Sequence, residues 1–198
     1  MKTISLLLSC GSLALLAGCG GGAKYVDSTG PNTIISVDKI DIQDWSRAAD
    51  QMVQNLLASG VLDRSERQPA ILAVSRIVNN TSEQVDTNLL TKKIRVALNQ
   101  SGKAVTTTTV GLGGTAEDPL AKDQAAYDSF RSGGDGDPGV QPGYSLSGRL
   151  IETYITQGKV KQTTFSFQLS LTEIATGLAV WEDDVDITKQ GKKGSVGW

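Results

Sequence analysis

The chain has 198 residues, which fits one ordinary domain with attachments and is too short for two well-cored domains. Its 19 Lys and Arg residues nearly balance its 21 Asp and Glu residues, giving a formal net charge of −2. This balance argues against nucleic acid as the main partner, because proteins that bind phosphate backbones usually carry a clustered basic excess. The chain has no histidine, so mechanisms that use imidazole as a base, proton shuttle or zinc ligand are excluded.

The first nineteen residues predict a secreted protein with a lipid anchor. A positively charged start precedes an apolar run over residues 4–16, which is too short to span a bilayer but has the length of a secretory signal. The run leads into Leu16-Ala17-Gly18-Cys19, which resembles a bacterial lipobox. Small residues give the peptidase access to the backbone, and the cysteine thiol accepts the lipid. We therefore expect a signal peptide over 1–18 and lipid attachment at Cys19; the alternative is an ordinary signal with an incidental cysteine.

The predicted signal peptide and lipid attachment have consequences for the mature chain. Cys10, the other of the two cysteines, would leave with the signal, so no free thiol and no disulfide would remain. In similar lipoproteins an Asp after the lipidated cysteine retains the protein in the inner membrane, so Gly20 favours the outer membrane, facing the periplasm. Residues 19–33 are predicted to form a lipidated N-terminus and flexible tether, since they hold glycines and a proline without a hydrophobic period. Fully stretched, this tether would reach roughly 45 to 50 Å.

The next segment alternates helical and strand patterns. Apolar residues at helical spacing predict a helix over 45–58, with Asp44 as its N-cap. A continuous apolar run over 70–78 predicts a strand covered on both faces. A second helix follows over 87–100, and a strand rich in Thr and Val over 103–110.

The remaining sequence predicts one more helix and a β-meander. A glycine-rich stretch over 111–143 contains a helix from Pro119 to Arg131 and a mobile loop over 133–143. Alternating apolar residues then predict three antiparallel strands, which begin near 144, 165 and 178. Two βα-like units followed by a meander indicate a single α/β domain over 34–190 with a small mixed sheet, and a loose tail over 191–198.

Several motifs suggest chemistry but are better explained structurally. Gly111 to Ala116 matches a loose dinucleotide pattern, yet acidic residues follow it where a pyrophosphate would bind. Gly134 to Asp137 begins like a calcium loop but lacks the remaining ligands. Asp183 and Asp184 would point to opposite faces of a strand and cannot act as a close pair. No convincing nucleophile lies with a base, so we predict a protein without catalytic activity, cofactor or metal.

A basic stripe beside the second helix is formed by Lys92, Lys93, Arg95 and Lys103. Such a stripe is usually a solvated face. The alternative is contact with an acidic partner or an anionic surface.

A set of short motifs in the folded part resembles the LpoB family, outer-membrane lipoproteins that activate a bifunctional class A penicillin-binding protein. The resemblance covers roughly residues 42–188. It rests on the following motifs: Asp44-Trp45 with Met52 and Leu56, Ile77-Val78-Asn79-Asn80-Thr81, Ile94-Arg95-x-Ala97-Leu98-Asn99, Ser101-Gly102-Lys103, and Thr176-Gly177 with Trp181.

The resemblance implies a fold similar to the N-terminal domain of TolB, with helices packed on a small mixed sheet. It also implies contact with a small regulatory domain of the synthase, which raises glycan polymerisation and peptide cross-linking. Well-known members carry a long Pro-rich tether, whereas this chain has only residues 20–33 in that position. Cys19 is the one functional residue that the resemblance transfers to this sequence.

We therefore expect a monomeric, non-enzymatic outer-membrane lipoprotein that binds and activates a peptidoglycan synthase. One alternative is a structural component of an envelope or secretion assembly similar to the curli-secretion lipoprotein CsgG, with the strands over 144–188 facing lipid. Another is an envelope hydrolase, which the absence of histidine makes the weakest of the three.

Overall fold

A computed structural model describes residues 23–28, 30–109, 117–131, 141–192 and the backbone of 196–197. Its main feature is a five-stranded mixed sheet with the strand order β3-β2-β4-β5-β6. The strands are β2 (Ala70–Asn80), β3 (Ala104–Thr106), β4 (Tyr144–Gln157), β5 (Val160–Glu173) and β6 (Ala179–Lys192). The helices are α1 (Ile42–Ala58), α2 (Asn88–Gln100) and α3 (Pro119–Arg131), and a 3-10 turn spans Val61–Arg64. The predicted mixed α/β class is confirmed.

Helix α1 begins earlier than its apolar pattern predicted. The prediction of Asp44 as the N-cap is wrong, because Asp41 caps the helix and Asp44 lies in the first turn. The two residues form a reciprocal capping box, in which the Asp41 backbone N–H donates to the Asp44 carboxylate at 2.7 Å. Six residues of the predicted apolar stripe are buried and the seventh, Leu57, is partly buried; the six are Trp45, Ala48, Ala49, Met52, Val53 and Leu56.

The two βα-like units form the parallel half of the sheet. Strand β2 pairs parallel with β3 on one side and with β4 on the other. Helix α2 connects β2 to β3 and buries Leu90, Ile94 and Leu98. Strand β3 is shorter than predicted and covers Ala104–Thr106, although the Thr107 backbone N–H still donates to the Leu72 carbonyl of β2 at 2.9 Å.

The meander forms the antiparallel half. Strands β4, β5 and β6 each contain 14 residues and pair in order along their length. They extend beyond the predicted segments, since their ends are rich in Thr, Gln and Lys and carry no regular apolar alternation.

The prediction of a loose tail from Gly191 is wrong for the described residues. Gly191 and Lys192 continue β6, and the backbone of β7 (Val196–Gly197) pairs antiparallel with β1 (Ile35–Ser36). Backbone pairing holds these residues, and this interaction has no signature in a Gly- and Lys-rich sequence.

The hydrophobic core lies on one face of the sheet, under α1 and α2. Trp45 of α1 packs edge-on against Phe167 of β5, with ring centroids 5.6 Å apart and planes at 79°. Helix α3 buries none of its side chains. Among the described residues, no helix covers the opposite face of the meander.

Candidate functional site on the helix-free face of the sheet

The face of the meander away from the helices, here called the helix-free face, carries three rows of mostly polar side chains across β4, β5 and β6. Side chains alternate between the two faces of each strand, and residues opposite one another share a face. The register therefore places the following sets side by side: Ser147, Ser170 and Glu182; Arg149, Gln168 and Asp184; Ile151, Ser166 and Asp186.

An acidic row lines the outer strand of this face. Glu182, Asp184 and Asp186 occupy alternate positions of β6, and all three are exposed. Ser170 Oγ donates to Glu182 Oε1 at 2.9 Å, and Ser166 donates to Asp186. These hydroxyls orient two of the three carboxylates. The row also makes pairing of β6 with a second copy unfavourable, because like charges would then face one another.

Arg149 provides the opposite charge on the same face. It is exposed on β4, two strands away from Asp184. At the usual spacing of neighbouring strands the two backbones lie about 10 Å apart. A shallow groove of about 450 Å³ lies between them, lined by Ser147, Gly148, Arg149, Gln168, Leu169, Ser170, Glu182, Asp183 and Asp184.

Gly148 allows the strands to approach closely beneath this groove. A Cβ at this position would lie 2.5 Å from the Gln168 carbonyl oxygen and 2.7 Å from Leu169 Cδ2. Beside it, the register between β2 and β4 shifts between Val74 and Ile77. Glycine and the irregularity in β2 together shape the centre of the sheet.

The adjacent carboxylates Asp183 and Asp184 point apart, as the sequence predicted. Asp183 lies on the helix side, where Asn55 Nδ2 donates to its Oδ2 at 2.7 Å. Asp184 lies on the helix-free face, next to the groove. They therefore do not form a close carboxylate pair.

Lys92 and Lys103 of the basic stripe are exposed, as predicted for a solvated face, and Lys93 is half-buried. Arg95 is buried, so the prediction is wrong for this residue. Lys92 and Arg95 form ion pairs with Glu117, and Lys103 pairs with Asp63 at 3.0 Å. Arg95 is buried and donates to the Thr107 carbonyl at 2.9 Å, and desolvation lowers the pKa of its guanidinium. The stripe joins α2 to the segments around it.

The N-terminal segment is tied to the far end of β5 and β6 by buried charges. Lys189 of β6 is 8% exposed and pairs with Asp41 and Asp44, and it also donates to the Lys39 carbonyl at 2.7 Å. Lys161 of β5 pairs with Asp38. The hydrogen bond to Asp38 raises the pKa of Lys161.

The remaining predicted sites lie outside the described residues. These are the signal peptide 1–18, Cys19, the Gly111–Ala116 pattern, and the Gly134–Asp137 turn with most of the 133–143 loop. In the part that the structure describes, no group of three or more His, Cys, Asp or Glu side chains is placed to hold a metal ion. No helix of that part is long and apolar enough to cross a membrane.

Sequence reasoning missed the helix-free face. The alternate acids at 182, 184 and 186 were a visible signal, but Arg149 stands alone in the sequence. Only the strand register brings it onto the same surface. The face offers oriented charges and hydroxyls, which suit recognition of another polar surface.

The chain is similar to known proteins of one family. A family model described as "Peptidoglycan-synthase activator LpoB" matches residues 44–187. The LpoB C-terminal domain of Salmonella enterica is 19% identical, with a TM-score of 0.44 over 73% of this chain and 98% of that domain. The same domain of Escherichia coli is 16% identical, with a TM-score of 0.43 and the same two coverages. Lipoprotein GNA1162 of Neisseria meningitidis is 15% identical, with a TM-score of 0.38 over 62% of this chain and 84% of that protein.

No curated protein sequence matches the chain significantly. The family match begins in the first turn of α1 and ends near the end of β6, so it takes in both βα-like units and almost all of the meander. Because this match covers most of the chain, the protein belongs to the LpoB family of peptidoglycan-synthase activators.

Proposed function

We propose that this protein is an outer-membrane lipoprotein that activates a class A penicillin-binding protein by direct contact. The observation that carries the proposal is the family match over residues 44–187, which coincides with the folded α/β part of the chain. The family's members are activators of peptidoglycan synthases, and they act through binding. The helix-free face supports such a role, because it is polar, exposed and carries both signs of charge.

The physical basis of activation is a difference in affinity. A bound regulator raises the rate of an enzyme only if it binds the active conformation more tightly than the inactive one. The row formed by Arg149, Gln168 and Asp184 can provide this selectivity. Its charges would pair with opposite charges that only the active conformation of the synthase presents at the matching spacing.

Lipid attachment at Cys19 provides the second part of the proposed mechanism. Each methylene of an acyl chain that enters the bilayer contributes about 0.8 kcal/mol to the free energy of membrane binding. Several chains therefore hold a protein at a bilayer effectively permanently. Confinement to a thin layer raises the effective concentration of the domain near its partner without any new contact.

The test is a titration of the purified protein into a synthase assay that follows glycan polymerisation and peptide cross-linking. We expect both rates to rise. Arg149→Glu with Asp184→Lys should raise the concentration for half-maximal activation about tenfold or more, as expected for loss of roughly 1.4 kcal/mol at an interface. The matched control is Arg67→Glu with Asp50→Lys, which reverses the same charges at exposed positions away from this face.

Two results would contradict the proposal. If the unmodified protein changes neither rate, it does not activate the synthase. If both double variants activate as well as the unmodified protein, the helix-free face is not the contact surface. Size measurement in detergent separates the assembly alternative, because a large ring would favour a structural component and a monomer favours the regulator.

A further inference from the structure

We propose that the end of the sheet nearest the tether docks on an anionic lipid surface and holds the domain upright on the membrane. This end, here called the hairpin tip, consists of residues 153–161 of β4 and β5 and residues 190–192 of β6. The inference rests on the lipid anchor of the proposed function. It adds a second membrane contact, made by the folded domain itself.

The N-terminal segment enters the domain at the hairpin tip. Lys161 pairs with Asp38, and its Nζ lies 4.8 Å from the ring centroid of Tyr154 near the tip. Lys189 binds Asp41 and the Lys39 carbonyl close by. Residues 20–33 precede this point, so an anchor at Cys19 would hold this end of the sheet nearest the bilayer.

Large apolar side chains are exposed at this end. Tyr154 is 66% exposed, Ile155 69% and Val160 40%. Ile34 and Ile35, where the tether joins the domain, are 52% and 41% exposed. The opposite end also exposes Ile174 and Leu178, but residues 172–179 there contain an acid and no lysine. Exposed aromatic and aliphatic residues beside lysines suit the boundary between lipid headgroups and acyl chains.

The charge of the hairpin tip complements anionic lipid. The hairpin tip contains three lysines, Lys159, Lys161 and Lys192, and no acidic residue, in a chain whose net charge is negative. Lys161 and Lys189 are engaged by Asp38, Asp41 and Asp44. Lys39, Lys159 and Lys192 are exposed, and within the described ranges none of them belongs to an ion pair. Clustered lysines of this kind are attracted to anionic headgroups.

Docking at this end would give the domain a defined orientation. A strand of 14 residues is about 45 Å long, so the turn between β5 and β6 would project that far from the membrane. The domain would then add its own length to the reach of the short tether, and the helix-free face would run along the direction of that reach.

The test uses the acylated protein in vesicles, with one fluorescent label at a time. The mature chain would hold no free thiol, so Ile155→Cys can be labelled at the hairpin tip and Leu178→Cys, 64% exposed in the original chain, at the opposite end. In vesicles of phosphatidylethanolamine and phosphatidylglycerol, spin-labelled lipid should quench the label at 155 several-fold more than the label at 178. Lys159→Glu with Lys192→Glu should remove most of this difference, whereas Arg67→Glu with Lys122→Glu should preserve it.

The outcomes separate the two proposals. If the protein does not float with the vesicles, the lipid anchor fails and the docking fails with it. If it floats but the labels at 155 and 178 are quenched equally, docking is overturned and the anchor stands. If the label at 155 is shielded only after a purified synthase is added, the hairpin tip contacts protein and the lipid surface is overturned.

Discussion

At the scale of single residues, Gly148 shows how closely the centre of the sheet is packed. The position opposite Leu169 has no room for a side chain, because a Cβ would lie within 3 Å of two atoms of β5. Other glycines lie in open space, among them Gly143 at the start of the meander. Glycine is therefore required at position 148 by the close approach of β5, and not at position 143.

We predict that Gly148→Ala lowers the free energy of unfolding by about 1 to 3 kcal/mol, the usual cost of forcing extra volume into a packed interior. Urea denaturation at neutral pH measures the effect. Gly143→Ala is the matched control and should change the stability by no more than about 0.5 kcal/mol, since its Cβ meets nothing within 4 Å. Equal stability of the two variants would contradict the packing argument.

Lys189 is the central residue of the N-terminal attachment. We predict that Lys189→Ala lowers the free energy of unfolding by about 3 to 5 kcal/mol, because it leaves the carboxylates of Asp41 and Asp44 without their buried cation. Lys192→Ala, at an exposed position three residues along the same strand, should stay within about 0.5 kcal/mol. A small effect at Lys189 would show that water reaches the two carboxylates.

At the scale of elements, α2 and α3 have the same length but different relations to the core. Helix α2 buries Leu90, Ile94 and Leu98 against the sheet. Helix α3 has no buried residue and exposes Leu120, Tyr127 and Phe130. Helix propensity and a cap can define a helix without saying whether it packs on anything.

We predict that Tyr127→Ser with Phe130→Ser leaves the thermal midpoint nearly unchanged, because both side chains are already in contact with solvent. Ile94→Ala should cost about 2 to 5 kcal/mol, since it opens a cavity at a fully buried position. Calorimetry of the two variants gives the comparison. A large loss of stability in the α3 variant would mean that this helix packs on the domain in solution.

The strands illustrate what alternation can and cannot predict. The apolar centres of β4, β5 and β6 are visible in the sequence, because residues such as Phe165, Phe167 and Leu169 alternate with polar ones. Towards the hairpin tip the same strands mix polar residues with the exposed Tyr154, Ile155 and Val160, and they are held by backbone pairing with their neighbours. Their extent depends on the neighbouring strand.

At the scale of the whole molecule, the proposed lipid anchor at Cys19 would limit where the domain can act. We predict that Cys19→Ser releases the protein from the outer-membrane fraction and abolishes incorporation of labelled palmitate in cells, because the thiol that accepts the lipid is lost. Titration of the same variant into a synthase assay in detergent should still activate, since the folded domain is unchanged.

Cys10→Ser is the natural control for this experiment. Cys10 lies within the predicted signal peptide, so this variant should be lipidated and located like the unmodified protein. Membrane association that persists in Cys19→Ser, with no palmitate on the chain, would contradict the proposed anchor.

The sequence by itself determined the α/β class, the two covered helices and the core of the meander, because hydrophobic periodicity records which side of each element meets the core. It also predicted the export and lipidation signal that ends at Cys19, since such a signal is recognised in an extended chain before folding. The tertiary structure decided which distant residues share a surface. Arg149 meets the acidic row only through strand register, and Lys189 meets Asp41 only when the ends of the domain come together. Such pairings depend on the geometry of the folded chain, and local sequence carries no trace of them.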